Sequence, residues 1–154
     1  MTDQTRSNLY VPAMAGLYDS VKDVAYPWAR FWTGLFLMPH GAQKLFGLFG
    51  GNIDNTAAFF SNIGLEPALA LAYLVGVVEF FGGLALAIGL FTRIAAAAIV
   101  VLLLVATFQV HLANGFFWTG GGYEYPLLWA LIAATFVFGG SGRWSVDGRI
   151  GKEF

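Results

Sequence analysis

Four stretches of this chain are each apolar over roughly the length that a lipid bilayer demands: residues 27–46, 67–90, 93–112 and 125–139. A hydrocarbon core of ~30 Å is crossed by about 20 helical residues. Residues 95–106 read AAAAIVVLLLVA, apolar on every face. A strand of a membrane β-barrel would alternate apolar and polar residues, so helices are expected, and the fold class is all-α, a four-helix transmembrane bundle. Charged residues make up 11% of the chain, against about 25% in a soluble domain. That is too little charge to cover a surface facing water. The fourth stretch is the shortest, and a start near Gly122 would lengthen it.

Orientation follows from where Lys and Arg fall, since cytoplasmic flanks collect them. In a four-span topology Arg6, Lys22, Arg30, Arg93, Arg143, Arg149 and Lys152 share one side, and Lys44 stands on the other. This distribution predicts cytoplasmic termini and outward loops at 47–66 and 113–124. The organisation reads as an N-terminal segment 1–26, with a candidate interfacial helix over 11–25, a membrane domain 27–140 and a tail 141–154. The first 25 residues lack the continuous apolar core of a signal peptide, so the first membrane helix is expected to lead insertion. A net charge of −1 without basic runs excludes the footprint of nucleic-acid binding. With no cysteine, the chain holds no thiolate metal site or Fe–S cluster of its own.

Both outward loops carry patterns. In the first, Asp54 or Asn55 is placed to cap a short helix over 57–60 that Gly64 would stop. The second, ANGFFWTGGGYEYP, is rich in Gly and aromatic residues. It reads as a lid over the bundle, or as an aromatic belt at the headgroups.

Ionisable groups within a span cost roughly 2.5–3.5 kcal/mol each on insertion scales, so each needs a reason. Glu79 lies roughly 18 Å into the second helix at ~1.5 Å per residue, near the midplane. Gly82 and Gly83 follow it and permit close helix approach. His40 and Lys44, four apart, face similar directions on the first helix, with Gln43 beside them. Pro39 predicts a bend there, with the Leu35 carbonyl freed. Gln109 and His111 end the third helix and Glu124 opens the fourth. One polar pocket in the outer half, beneath the lid, would satisfy them all, whereas Arg30 is expected to snorkel to the inner interface. Other readings stay open. Glu79 is equally a structural tie to Lys44 or His40. Lys44 can snorkel outward, and His111 can be an interfacial residue. Haem ligation by the two histidines is disfavoured by their different depths, and a metal held by His40, Glu79 and His111 lacks any supporting local ligand spacing.

Taken in order, five motifs resemble the DoxX family of small four-helix membrane proteins. They are Arg30 and Gly34 with GAQK ending at Lys44; EFFGGLALAIGLFTR from Glu79; HLANGF from His111; GGYEYPLL from Gly121; and GSGRWSVD ending at Asp147. The resemblance covers about residues 27–147. It implies a multi-pass protein of a bacterial or archaeal plasma (inner) membrane. The partners it implies are the lipid bilayer and other membrane or redox subunits. It also implies a role as a subunit of a quinone-linked oxidoreductase, with quinone as the cofactor. In that role Glu79, His40 and Lys44 are the candidate catalytic residues, and His111, Gln109, Glu124 and Tyr123 the candidate quinone or substrate contacts. Electrons would come from a partner. The alternatives are a non-catalytic anchor or assembly subunit, and a carrier of a small solute or metal, for which inverted repeats are expected and none is found.

Overall fold

The structure is a computed structural model that describes residues 9–153. Arg6, used above to assign orientation, lies outside the described residues. Among them every regular element is helical. Six helices carry the fold: α1 (Ala15–Phe46), α2 (Ile53–Asn62), α3 (Ala68–Ile88), α4 (Thr92–Asn114), α5 (Glu124–Gly139) and α6 (Val146–Ile150). Two of them, α3 and α4, are long and apolar enough to cross a bilayer. α5 is apolar but shorter. α1 is long enough, at 32 residues, but carries charged residues from Asp19 to Lys44.

The sequence suggested an interfacial helix followed by a separate first span. Instead, α1 is continuous across both. Pro27, the first residue of the first apolar stretch, lies buried in the helix interior rather than at a helix start, and the helix also runs unbroken through Pro39. The ladder departs from α geometry elsewhere. α3 contains a π turn at Val78–Gly82, and α4 another at Ala106–His111. α2 is longer than expected and is capped by Asn52, whose Oδ1 accepts from the Asp54 amide at 2.6 Å.

Glycine sets the approach of α1 to α3. A Cβ on Gly41 would stand 2.5 Å from the Phe80 nitrogen and 2.7 Å from the Gly76 carbonyl. One on Gly83 would stand 2.7 Å from the Gly34 carbonyl. Such small-residue contacts let helix backbones touch where lipid supplies no hydrophobic drive. α4 packs on α5 through Ala95, Ala96, Ile99, Ala130, Ala133 and Phe136, all buried. This core fills the end of the bundle near the tail. Outward faces carry large apolar side chains such as Leu74, Val77, Phe81 and Leu84 on α3, and Val101, Val105 and Phe108 on α4.

The tail closes that packed end. Ser145 caps α6 by accepting from the Gly148 amide at 3.0 Å. Asp147 is buried and accepts from the Phe91 amide (2.8 Å), the Thr92 amide (2.9 Å) and the Thr92 hydroxyl (2.8 Å), so it caps the start of α4. Arg30 does not snorkel. It is 2% exposed and donates to the carbonyls of Ser141 and of Trp144, the latter at 3.0 Å. A guanidinium can stay inside because the folded tail presents backbone carbonyls where the sequence suggested only solvent.

Candidate functional site

The opposite end of the bundle, beneath α2 and the 115–123 loop, is hollow. Gly41 brings α1 against the π turn of α3, and this contact sets Lys44 beside Glu79. Lys44 Nζ stands 2.7 Å from Glu79 Oε2, with side chains 17% and 12% exposed. The ammonium also donates to the His40 carbonyl at 3.2 Å. Desolvating two ions costs several kcal/mol each, and only close, hydrogen-bonded geometry offsets it.

Two cavities flank this pair, of about 590 and about 640 Å³. Such volumes suit a small organic ligand. Glu79, His111, Leu102 and Ala106 line both. Lys44 and Gln43 line the first, with Asn52, Asn55 and Thr56 of α2 across from them. His40 lines the second, with Phe36, Trp118, Tyr125 and Trp129. Glu79 lies in the π turn of α3 and His111 ends that of α4. π turns re-aim side chains by one extra residue and recur at functional sites.

His111 also fastens the loop. Its Nδ1 is 2.6 Å from the Gly121 carbonyl, to which Asn114 donates at 3.1 Å. A carbonyl only accepts, so Nδ1 carries a proton, and in the neutral ring Nε2 is left as the acceptor. The loop folds back through Tyr123 N–H to the Gly115 carbonyl (3.0 Å) and Glu124 N–H to the Phe116 carbonyl (3.0 Å).

The structure brings Lys44, Glu79, His40 and His111 to the cavities but not the other three candidates. Gln109 is exposed and lines neither cavity. It stands two residues from His111, and helical positions two apart do not share a face. Glu124 accepts from the Trp118 amide at 3.1 Å, so its carboxylate serves the loop. Tyr123 packs edge-on against Phe116, with ring centroids 5.6 Å apart, also outside both cavities. Among the described residues no three His, Asp or Glu side chains converge to hold a metal, His40, Glu79 and His111 included. Asn52, Asn55 and Thr56 were not read as site residues, although the paired Phe59 and Phe60 suit a helix that lies in the interface or packs back over the bundle. The aromatic wall was half visible: Trp118 and Tyr125 flank the Gly-rich run, but their stacking, at 5.1 Å and 6°, needs the loop closed.

The DoxX family profile matches residues 27–112. An uncharacterized protein of Haemophilus influenzae is 38% identical over 91 residues, which cover 57% of this chain and 66% of that protein, just under two thirds. A Bacillus subtilis protein named "Putative oxidoreductase CatD" is 31% identical over 118 residues, 77% of this chain and 81% of that protein. No solved structure matches the chain.

Proposed function

This chain belongs to the DoxX family, and from that premise we propose that it is a four-span membrane subunit of a quinone-linked oxidoreductase. Both termini lie in the cytoplasm, and the cavities open toward the outer half of the membrane. The observation that carries this reading is the Lys44–Glu79 pair, held at 2.7 Å where two ligand-sized cavities meet at His111. Reduction of a quinone takes two electrons and two protons. His40 and His111, which line one cavity with Glu79, are assigned to hydrogen-bond the two ring oxygens, Lys44 to hold Glu79, and Glu79 to pass the two protons in turn. A chain without cysteine holds no Fe–S cluster on its own thiolates, so the electrons are assigned to a partner subunit. The name of the Bacillus relative supports the oxidoreductase class.

Purification from native membranes in mild detergent tests the reading. The expected result is co-purification of a redox subunit, together with quinone extractable from the complex. A chain that purifies with partners carrying no redox centre and no quinone would instead be an anchor.

A further inference from the structure

The two cavities differ in what surrounds them. The one beneath α2 has a polar rim, Gln43, Asn52, Asn55 and Thr56, and Asn52 and Asn55 are exposed at the end of the bundle. The other is walled by aromatic rings. Trp118 and Tyr125 stack in parallel, and Phe36 of α1 meets Trp129 of α5 with centroids 6.0 Å apart. Its rim residues Phe36 and Leu128 are 56% and 49% exposed. Phe36 lies on the side of α1 and Leu128 one turn into α5, so the exposed apolar rim runs from Trp118 and Tyr125 at the bundle end along the groove between α1 and α5. Flat rings pack well against such walls in offset or edge-on geometry, and an apolar tail could leave between α1 and α5 directly into lipid. The cavity beneath α2 also has apolar lining, including Val105, 44% exposed on the side of α4, but it alone is faced by the Asn52, Asn55 and Thr56 side chains.

Resting on the quinone reading above, we infer that the cavities are separate compartments: the aromatic one seats the quinone ring through the groove between α1 and α5, and the one beneath α2 is an aqueous antechamber that brings water to Glu79 from the other side. Glu79 and His111 form the wall that both compartments share. The arrangement separates the two inputs of quinone reduction. The ring enters from lipid, and protons enter from water, so the amphiphile need not leave its seat for Glu79 to be reprotonated.

The absence of cysteine makes the test direct. Thr56→Cys reports the α2 cavity and Ile132→Cys the aromatic one, with Asn55→Cys and Leu128→Cys as second positions should either variant fail to fold. The full chain, in its complex and in liposomes, is treated with a charged, membrane-impermeant thiosulfonate or with neutral N-ethylmaleimide. Each reaction is run with and without decylubiquinone, whose binding to the cysteine-free protein is measured separately. At ten times its Kd, decylubiquinone should slow modification of Ile132→Cys about tenfold and that of Thr56→Cys less than about twofold. Thr56→Cys should react with the charged reagent. Equal shielding at both positions, shielding at Thr56→Cys alone, or shielding at neither while quinone binds would overturn the assignment, as would a Thr56→Cys closed to the charged reagent. If the cysteine-free protein binds no quinone, the proposed function itself fails, and that result is read independently of the labelling.

Discussion

Lys44 and Glu79 are 35 residues apart in the chain and 2.7 Å apart in space, a cation and a carboxylate joined across the α1–α3 contact. Breaking a mostly buried pair from one side strands the other charge. Glu79→Ala should therefore lower stability by about 3 kcal/mol, and Glu79→Gln by less, because the amide still accepts from the ammonium. Adding Lys44→Met to Glu79→Ala should recover part of the loss. Thermal unfolding in detergent of the two single variants and the double variant measures this. Strictly additive losses would show that the ions are not coupled.

The glycines after Glu79 make a sharper contrast. A Cβ on Gly82 would find its nearest neighbour, a Val78 methyl, at 3.7 Å, whereas one on Gly83 would meet the backbone of α1. Gly82→Ala should be neutral or slightly stabilising, since alanine favours helix. Gly83→Ala and Gly41→Ala should each cost about 1–3 kcal/mol through overpacking. Melting temperatures that ranked Gly82→Ala with the other two would refute this account of the helix crossing.

These contrasts mark how far the sequence could be read. The helices over the apolar stretches were legible from their apolar pattern, and Glu79 stood out because an ionisable group inside such a stretch is costly. The identity of its partner was open between Lys44 and His40, and only the register of two helices decides it. The π turns at Glu79 and His111 leave no local signature. Gln109 was misplaced by grouping it with His111 by depth alone, although helical spacing separates them. Arg30 was misjudged for another reason. Its long side chain suits snorkelling, and nothing nearby in sequence announces that residues 111 and more positions later supply its carbonyl partners.

Asp147 ties the tail to the start of α4, and its protonation should loosen that tie. Burial pushes its carboxyl up. The amide and hydroxyl of Thr92, the amide of Phe91 and the charge of Arg30 together outweigh burial and hold it below its ordinary value. The folded state therefore binds this proton less readily than the unfolded state. The resulting stability is fully present above the unfolded value, ~3.9 for Asp, and is lost as pH falls through the folded value. Asp147→Asn should be less stable than the wild type at neutral pH and should lose less on acidification. Unfolding midpoints between neutral and acid pH check this, and parallel curves for the two proteins would contradict it.

The proposed topology is checked from outside the cell. Cysteines introduced by Asn55→Cys or Thr119→Cys sit at the hollow end of the bundle, the end assigned to the outer side. Both should react with an impermeant thiol reagent in intact cells, whereas tags at either terminus should be reached only after permeabilisation. Labelling in the reverse pattern would invert the protein and place the cavities toward the cytoplasm.

A last prediction separates a structural tie from a proton relay at Glu79. The relay needs a group that releases and regains a proton beside the quinone. A tie needs only shape and a hydrogen bond to Lys44. Glu79→Gln keeps the second and removes the first. In the assembled complex this variant should keep its subunits and bind decylubiquinone about as tightly as the wild type. Quinone reduction should fall by about 100-fold or more, the usual loss when a positioned acid–base group is removed. Lys44→Met should retain more activity than Glu79→Gln, because Lys44 lines only the cavity beneath α2 and hydrogen bonding to the ring rests on His40 and His111, whereas no second carboxylate lines either cavity. Turnover of Glu79→Gln equal to the wild type, with binding intact, would leave Glu79 a tie between α1 and α3 and move proton delivery to His111, the other polar residue that lines both cavities.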